Sequence, residues 1–213
     1  MAVDLTDEAL IENFRRTGNI SMFQTLVRRY QSRVFTAAFR ILSNAEEAEE
    51  VVQDTFLRVH QNISKFRKDA SFSSWVFKIA HNQCMDILRN RQRRKGFRLL
   101  SFDPQSNKPE PTEEAMEAYS VVSQLTDPGA DPSQSLELSE QGAMVTEALK
   151  QLTDTQRMVV VLHDIEGFQY QEIAEIVGTS IGTVRSRLHY GRVKLKELLE
   201  PYFSQQNMSA VSR

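Results

Sequence analysis

Arg185, Ser186, His189 and Tyr190 fall on one side of a short helix pattern, and that set of side chains reads nucleic acid. An arginine fork donates two parallel bonds to the O6 and N7 edge of guanine, while serine and histidine bond base edges or phosphates. At about 100° per residue, Val184, Leu188, Gly191 and Leu195 take the opposite side, and Arg187 and Arg192 flank that apolar stripe. A second candidate stretch is FSSWVFKIAHNQCMDILRNRQRRK, residues 72–95, with aromatics at one end and Arg89, Arg91, Arg93, Arg94 and Lys95 at the other. Basic side chains follow a phosphate backbone, and aromatic faces stack on unpaired bases.

The first set needs an element to insert it. YQEIAEIVGTSIGTVRSRLHYGRVKLK, residues 170–196, supplies a helix carrying Ile173, Ala174 and Val177, a stop at Gly178, a cap at Thr179 or Ser180, and a second helix from about Gly182. Glycine ends a helix in the left-handed conformation without steric cost, and a hydroxyl accepts from the free amides of the next helix. This is a helix-turn-helix, spanning about 170–189, whose second helix enters the major groove. The layout serves repressors, activators and recombinases alike.

The rest of the chain is helical by pattern. A helix over Asp7–Arg16 is followed by three- and four-residue apolar steps from Phe23 to Leu42, from Ala48 to Val59 (capped by Ser43 or Asn44) and from Phe72 to Leu88. Residues 98–135 hold all but one of the chain's prolines among Ser, Gln, Asp and Glu, and read as a flexible acidic linker in which Thr112–Leu125 forms at most a transient helix. Periodicity returns through Leu136, Leu138, Val145, Ala148, Leu149 and Leu152. Thr153 or Asp154 caps the next helix, which is expected to run to Gly167. The predicted architecture is all-α: a domain over 1–97, the linker, a domain over 136–204 and a frayed tail over 205–213.

A net charge of −2 conceals a division. Residues 1–97 carry 16 Lys/Arg against 11 Asp/Glu, residues 98–137 carry 2 against 8, and residues 138–213 carry 8 against 9. The basic surplus sits where nucleic-acid contacts are expected, and local patches govern that affinity. No Gly-rich phosphate loop, metal-ligand set, or nucleophile beside a base is present, so no catalytic or cofactor role is expected. The single cysteine, Cys84, lies on an apolar stripe; with His81 it makes only half a metal site. An acidic, amphipathic N-terminus and the lack of a long apolar run point to the cytoplasm. No heptad dimerisation element is evident, and a monomer is expected.

Three blocks in order, AEEAEEVVQDTFLRVHQNISKF, FSSWVFKIAHNQCMDILR and GFQYQEIAEIVGTSIGTVRSRLHYGRVKLK, resemble the extracytoplasmic function (ECF) group of the sigma-70 family. The resemblance implies a sigma subunit of bacterial RNA polymerase, with a −10 domain, a linker and a −35 domain. It implies core polymerase as partner, through the clamp helices of the largest subunit and, by the −35 domain, the second-largest subunit. It also implies promoter DNA and an anti-sigma factor at the inner membrane face, released in a stress response. The competing reading is a helix-turn-helix regulator that does not bind core polymerase.

Residue by residue, Glu50, Gln53, Asp54 and His60 match polymerase contacts, with Glu50 where the family often has Asp. Residues 50, 53, 54 and 57 share a helical face away from Val52, Phe56 and Val59. The stretch Phe66, Arg67, Lys68, Asp69 and Ser71 resembles the loop that captures a flipped −10 base, and Lys78, Asn82 and Arg89 follow on the next helix. Trp75 lies on the apolar stripe and is expected in the core. Arg185, Ser186, His189 and Tyr190 match −35 positions; Tyr190 stands where many members carry a basic residue. The linker matches the segment threaded through the polymerase channels. The free protein is expected to be compact or sequestered.

Overall fold

The computed structural model describes residues 5–67, 70–97 and 140–211, and every regular element among them is helical. The first unit comprises α1 (Asp7–Thr17), α2 (Ile20–Leu42), α3 (Ala45–Asn62), a 3-10 turn (Ile63–Lys65) and α4 (Phe72–Phe97). The second comprises α5 (Glu140–Lys150), α6 (Asp154–Val160), a π-helical turn (Val161–Ile165), α7 (Tyr170–Val177) and α8 (Ile181–Val211). The expected linker over 98–135, with its helix at Thr112–Leu125, and Lys68 and Asp69 lie outside the described residues.

Local chemistry sets most helix ends. Thr6 caps α1, Asn19 caps α2 and Asn44 caps α3, each side chain accepting from a first-turn amide. Such caps are each worth about 1 kcal/mol. Thr153 caps α6 in a reciprocal box with Gln156. Gly18, Gly167 and Gly178 take positive φ at the ends of their segments. The helix expected to run to Gly167 differs from that expectation. The regular α-helix stops at Val160 and the chain widens into the π turn before Gly167. α8 extends past the boundary set at 204, with Pro201 inside it.

Within the first unit, Phe23, Leu26, Val27 and Val34 of α2 pack with Val51, Phe56 and Val59 of α3 and with Phe72, Val76 and Phe77 of α4, all buried. Burying a side chain of this size contributes roughly 1.5–3 kcal/mol, which fixes the three helices as one layer.

The two units are packed on each other, and their buried side chains form one continuous core. α4 lies on α7, and α2 meets the π turn, α5 and α6. Phe77 and Phe168, both buried, meet edge to face with centroids 4.9 Å apart. Arg157 is 8 % exposed and donates to the carbonyls of Leu149, Lys150 and Leu152 at the end of α5 and, 2.6 Å away, to Ile41 at the end of α2. Arg33 Nε reaches Glu166 across the interface at 3.1 Å, and its guanidinium lies over the rings of Tyr30 and Phe77. Ser74 donates to Glu172 (3.1 Å) and Gln92 to Asp154 (3.2 Å).

Candidate nucleic-acid interface

The helix-turn-helix is built as its sequence requires. Glu172 Oε2 accepts from the Gln169 amide at 2.9 Å and closes the start of α7. Gly178 ends it at φ 65°. Ser180 Oγ then accepts from the Thr183 amide and caps α8. Val184 and Leu188 are buried against α6 and α7. A Cβ on Gly191 would stand 2.9 Å from Val160 Cγ2, so the absence of a side chain lets α8 rest directly on α6.

That seating turns Arg185, Ser186, His189 and Tyr190 to solvent; Tyr190 is 61 % exposed and Val193 beside it 44 %. The Arg185 guanidinium lies over the Tyr170 ring, 5.8 Å from its centroid, which steadies it at the exposed surface. Arg187 is half-buried. Arg192 differs in use from its neighbours. It pairs with Asp164 of the π turn through both Nε (3.0 Å) and Nη2, and its pKa is raised by that carboxylate. It fastens α8 to the turn beneath it. Asp164, together with His163 bonded to the Phe168 carbonyl at 2.8 Å, is support that pattern alone does not reveal.

A second face lies on α4. Lys78 and Asn82 are exposed there, on the same side as Trp75 and Ile79. Trp75, Ile79 and Asn82 form one wall of a recess of about 350 Å³, and Arg58, Asn62 and Lys65 of α3 and the 3-10 turn form the other. Trp75 is half-buried and divides its ring between core and recess, lying 5.1 Å from Phe66 and 5.9 Å from Phe72. Burial lowers the His81 pKa, which favours the neutral imidazole. Its Nδ1 meets Asn82 Oδ1 at 3.2 Å; with the proton on Nδ1, the Asn82 NH₂ points to the opposite side as a donor.

The other −10 candidates separate. Arg67 is exposed. Phe66 is 8 % exposed and packs on Phe72 and Trp75, so it shapes the recess instead of presenting its ring to DNA. Ser71 Oγ accepts from the Ser74 amide at 3.1 Å and serves α4 as a cap. Arg89 pairs with Asp86 at 3.0 Å on an exposed surface. Arg91, expected with the phosphate-following run, turns inward to Glu47 and to the Leu42 carbonyl at 2.9 Å, because the end of α2 presents unpaired carbonyls there. Arg58, Asn62 and Lys65 escaped pattern reading: they join the site only when α3 and α4 pack.

On α3, Glu50 is exposed, Gln53 and Asp54 are half-buried, and Val52, Phe56 and Val59 are buried on the other side. His60 flanks that face, with its ring 5.1 Å from Phe23 and 5.7 Å from Phe14. Cys84 is buried and its thiol is pushed up to about 12 by desolvation, which makes it a packing residue. No group of metal-ligating side chains occurs among the described residues, and no described helix is long and apolar enough to cross a membrane.

These two faces coincide with two family matches. Residues 26–94 match Sigma-70 region 2, and residues 143–195 match Sigma-70, region 4. The chain is 31 % identical over 201 residues to the ECF RNA polymerase sigma-E factor of Haemophilus influenzae, covering 94 % of this chain and 99 % of that protein. The chain belongs to the ECF group of the sigma-70 family.

Other sigma factors extend the likeness. The ECF sigma factor SigE of Mycolicibacterium smegmatis is 34 % identical over 185 residues, 87 % of this chain; the chain spans 64 % of that relative's length. Among solved structures, CnrH in complex with the cytosolic domain of CnrY matches with TM-score 0.62 and 25 % identity, covering 92 % of this chain and 97 % of that one. The sigma factor RpoE from Bartonella quintana, in complex with the anti-sigma factor NepR, shares the fold at TM-score 0.56 and 23 % identity, covering 88 % and 98 %. A sigma factor directs core RNA polymerase to promoter DNA, so the separate-regulator reading is not favoured.

Proposed function

We propose that this sigma factor docks on the largest polymerase subunit through the α3 face of Glu50, Gln53 and Asp54, reads the −35 duplex with the outer face of α8, and takes an unpaired −10 base into the recess between α3 and α4. The observation that carries the reading is the recess. A half-buried tryptophan and an exposed amide face Arg58 and Lys65 across it, with Lys78 exposed on the same helix, a combination suited to a base with its phosphates. Binding the unpaired strand there stabilises the opened duplex, and the polymerase, not the sigma factor, performs the chemistry.

The acidic linker runs through the polymerase channels in this reading, and α5 and α6 engage the second-largest subunit. The protein acts in the cytoplasm, as a monomer when unbound. An anti-sigma factor, held at the membrane and answering a stress signal, restrains it; CnrH, similar in fold and sequence, is solved with the cytosolic domain of CnrY.

Run-off transcription over genomic fragments tests the function: the chain plus core polymerase is expected to initiate at a small set of promoters, and initiation at none rejects the reading. Reversing charge with Asp54→Lys is expected to weaken competition for core polymerase at least tenfold while the helical circular dichroism is unchanged. Normal competition by that variant removes the α3 assignment. At a promoter so found, Arg185→Ala is expected to cost about 1–3 kcal/mol at one −35 base pair and relax specificity there. A uniform loss on every sequence marks a phosphate contact instead.

A further inference from the structure

The recess wall formed by Asn62 and Lys65 is a short turn with little regular structure of its own. The 3-10 turn of three residues closes on one long bond of its own, from the Phe66 amide to the Ile63 carbonyl at 3.3 Å, which leaves the second lone pair of Ile63 and the Phe66 carbonyl for other donors. Arg15 of α1 supplies those donors. Its Nε donates to the Ile63 carbonyl at 2.8 Å, and its Nη2 donates to Ile63 and, at 2.6 Å, to Phe66. One planar guanidinium thus holds both ends of the turn, a geometry that a flexible ammonium does not reproduce. α1 is in turn fastened to α2 by Asp7, which takes Arg29 at 2.5 Å and the Tyr30 hydroxyl. The grip reaches the recess by two routes: through Lys65 directly, and through Phe66, whose ring backs Trp75. Arg15 lies ahead of the stretch 26–94 that matches the family.

We propose that Arg15 is a positioning residue for −10 strand capture, setting the width of the recess between α3 and α4 by clamping the Ile63 and Phe66 carbonyls. The inference rests on the reading of that recess as the site of an unpaired base. Without the clamp the turn samples wider positions, and the base loses a wall that must be in place before it enters. Attachment to core polymerase uses the Glu50–Asp54 part of α3, ahead of the clamped turn, and the −35 duplex is read by α8, so both are left unchanged.

The test uses holoenzyme made with the full chain and a fluorescent single-stranded oligonucleotide carrying the −10 element of a promoter that wild-type holoenzyme transcribes. Arg15→Ala is expected to weaken strand capture about tenfold, with core affinity and −35 duplex binding held and the thermal midpoint lowered by no more than a few degrees. Arg15→Lys is expected to recover part of the loss, and hydrogen exchange at the amides of residues 64–67 is expected to quicken in Arg15→Ala while α2 stays protected. Wild-type capture by Arg15→Ala overturns the proposal, as does a loss matched by an equal fall in core affinity or folded fraction. Should Arg15→Ala not fold, Arg15→Gln, which keeps one donor, decides by the same measures. Failure of the wild-type protein to capture any −10 strand rejects the recess reading itself, and is distinguishable from a variant that equals an active wild type.

Discussion

Arg157→Ala is expected to lower the free energy of unfolding by about 2–4 kcal/mol, because four carbonyls lose a shared charged donor at once. Three of the four close the end of α5 and the turn into α6; the fourth, Ile41, belongs to the other unit. Desolvation lowers the Arg157 pKa, with Asp154 opposing from 3.7 Å, so the charge is retained at a cost that only its bonds offset. A protein of this size should lose several degrees from its melting midpoint. Arg157→Lys should rescue little, since one ammonium cannot span four acceptors arranged around a planar fork. Denaturant unfolding of the full chain checks this, and a loss under about 0.5 kcal/mol rejects the shared-clamp account.

Arg157 also shows where sequence reading stops. In DTQRM it looks like one more polar residue in a capped first turn, and its partners are backbone carbonyls that have no signature in side-chain pattern. Arg15 and Arg91 were hidden in the same way, each ending at the carbonyls of a finished helix or turn. The helix-turn-helix was legible for the opposite reason: Gly178, Ser180 and the Val184–Leu188 stripe act within a few residues of one another. The outward face of α8 followed from that stripe alone. The π turn was not legible, because MVVVLHDI reads as one helical stretch whether its bonds close four or five residues back. The −10 recess stood between these cases. Lys78, Asn82 and Trp75 were visible on one helix, and the facing wall required the packing of α3 on α4.

Charge reversal at Glu166 is expected to separate the two units. The Glu166 side chain is 5 % exposed and faces Arg33, at 3.1 Å, with Arg40 adding to the positive field. Glu166→Lys sets a third cation among them, with little solvent to screen it. Breaking a buried pair this way costs about 3–5 kcal/mol, reduced here because Arg33 is 42 % exposed. Among the described residues the interface then keeps its apolar core, with Phe77 on Phe168, the polar bonds of Ser74 and Gln92, the bond from Arg33 to the Glu166 carbonyl and the Arg157–Ile41 bond. Small-angle scattering of the free protein should register a larger radius of gyration with helical content unchanged. Glu166→Gln should stay compact. Burial raises the Glu166 pKa against the opposing pull of Arg33 and Arg40, so the packed form holds the proton more tightly than the separated form. The contribution of this group to packing therefore grows as pH falls toward the ordinary glutamate value of 4.5 and is lost as pH rises through the raised value. A neutral amide imitates the protonated state. Equal radii for wild type and Glu166→Lys would mean that the apolar core and the remaining bonds hold the units together, and that the Arg33–Glu166 pair has no part in opening them.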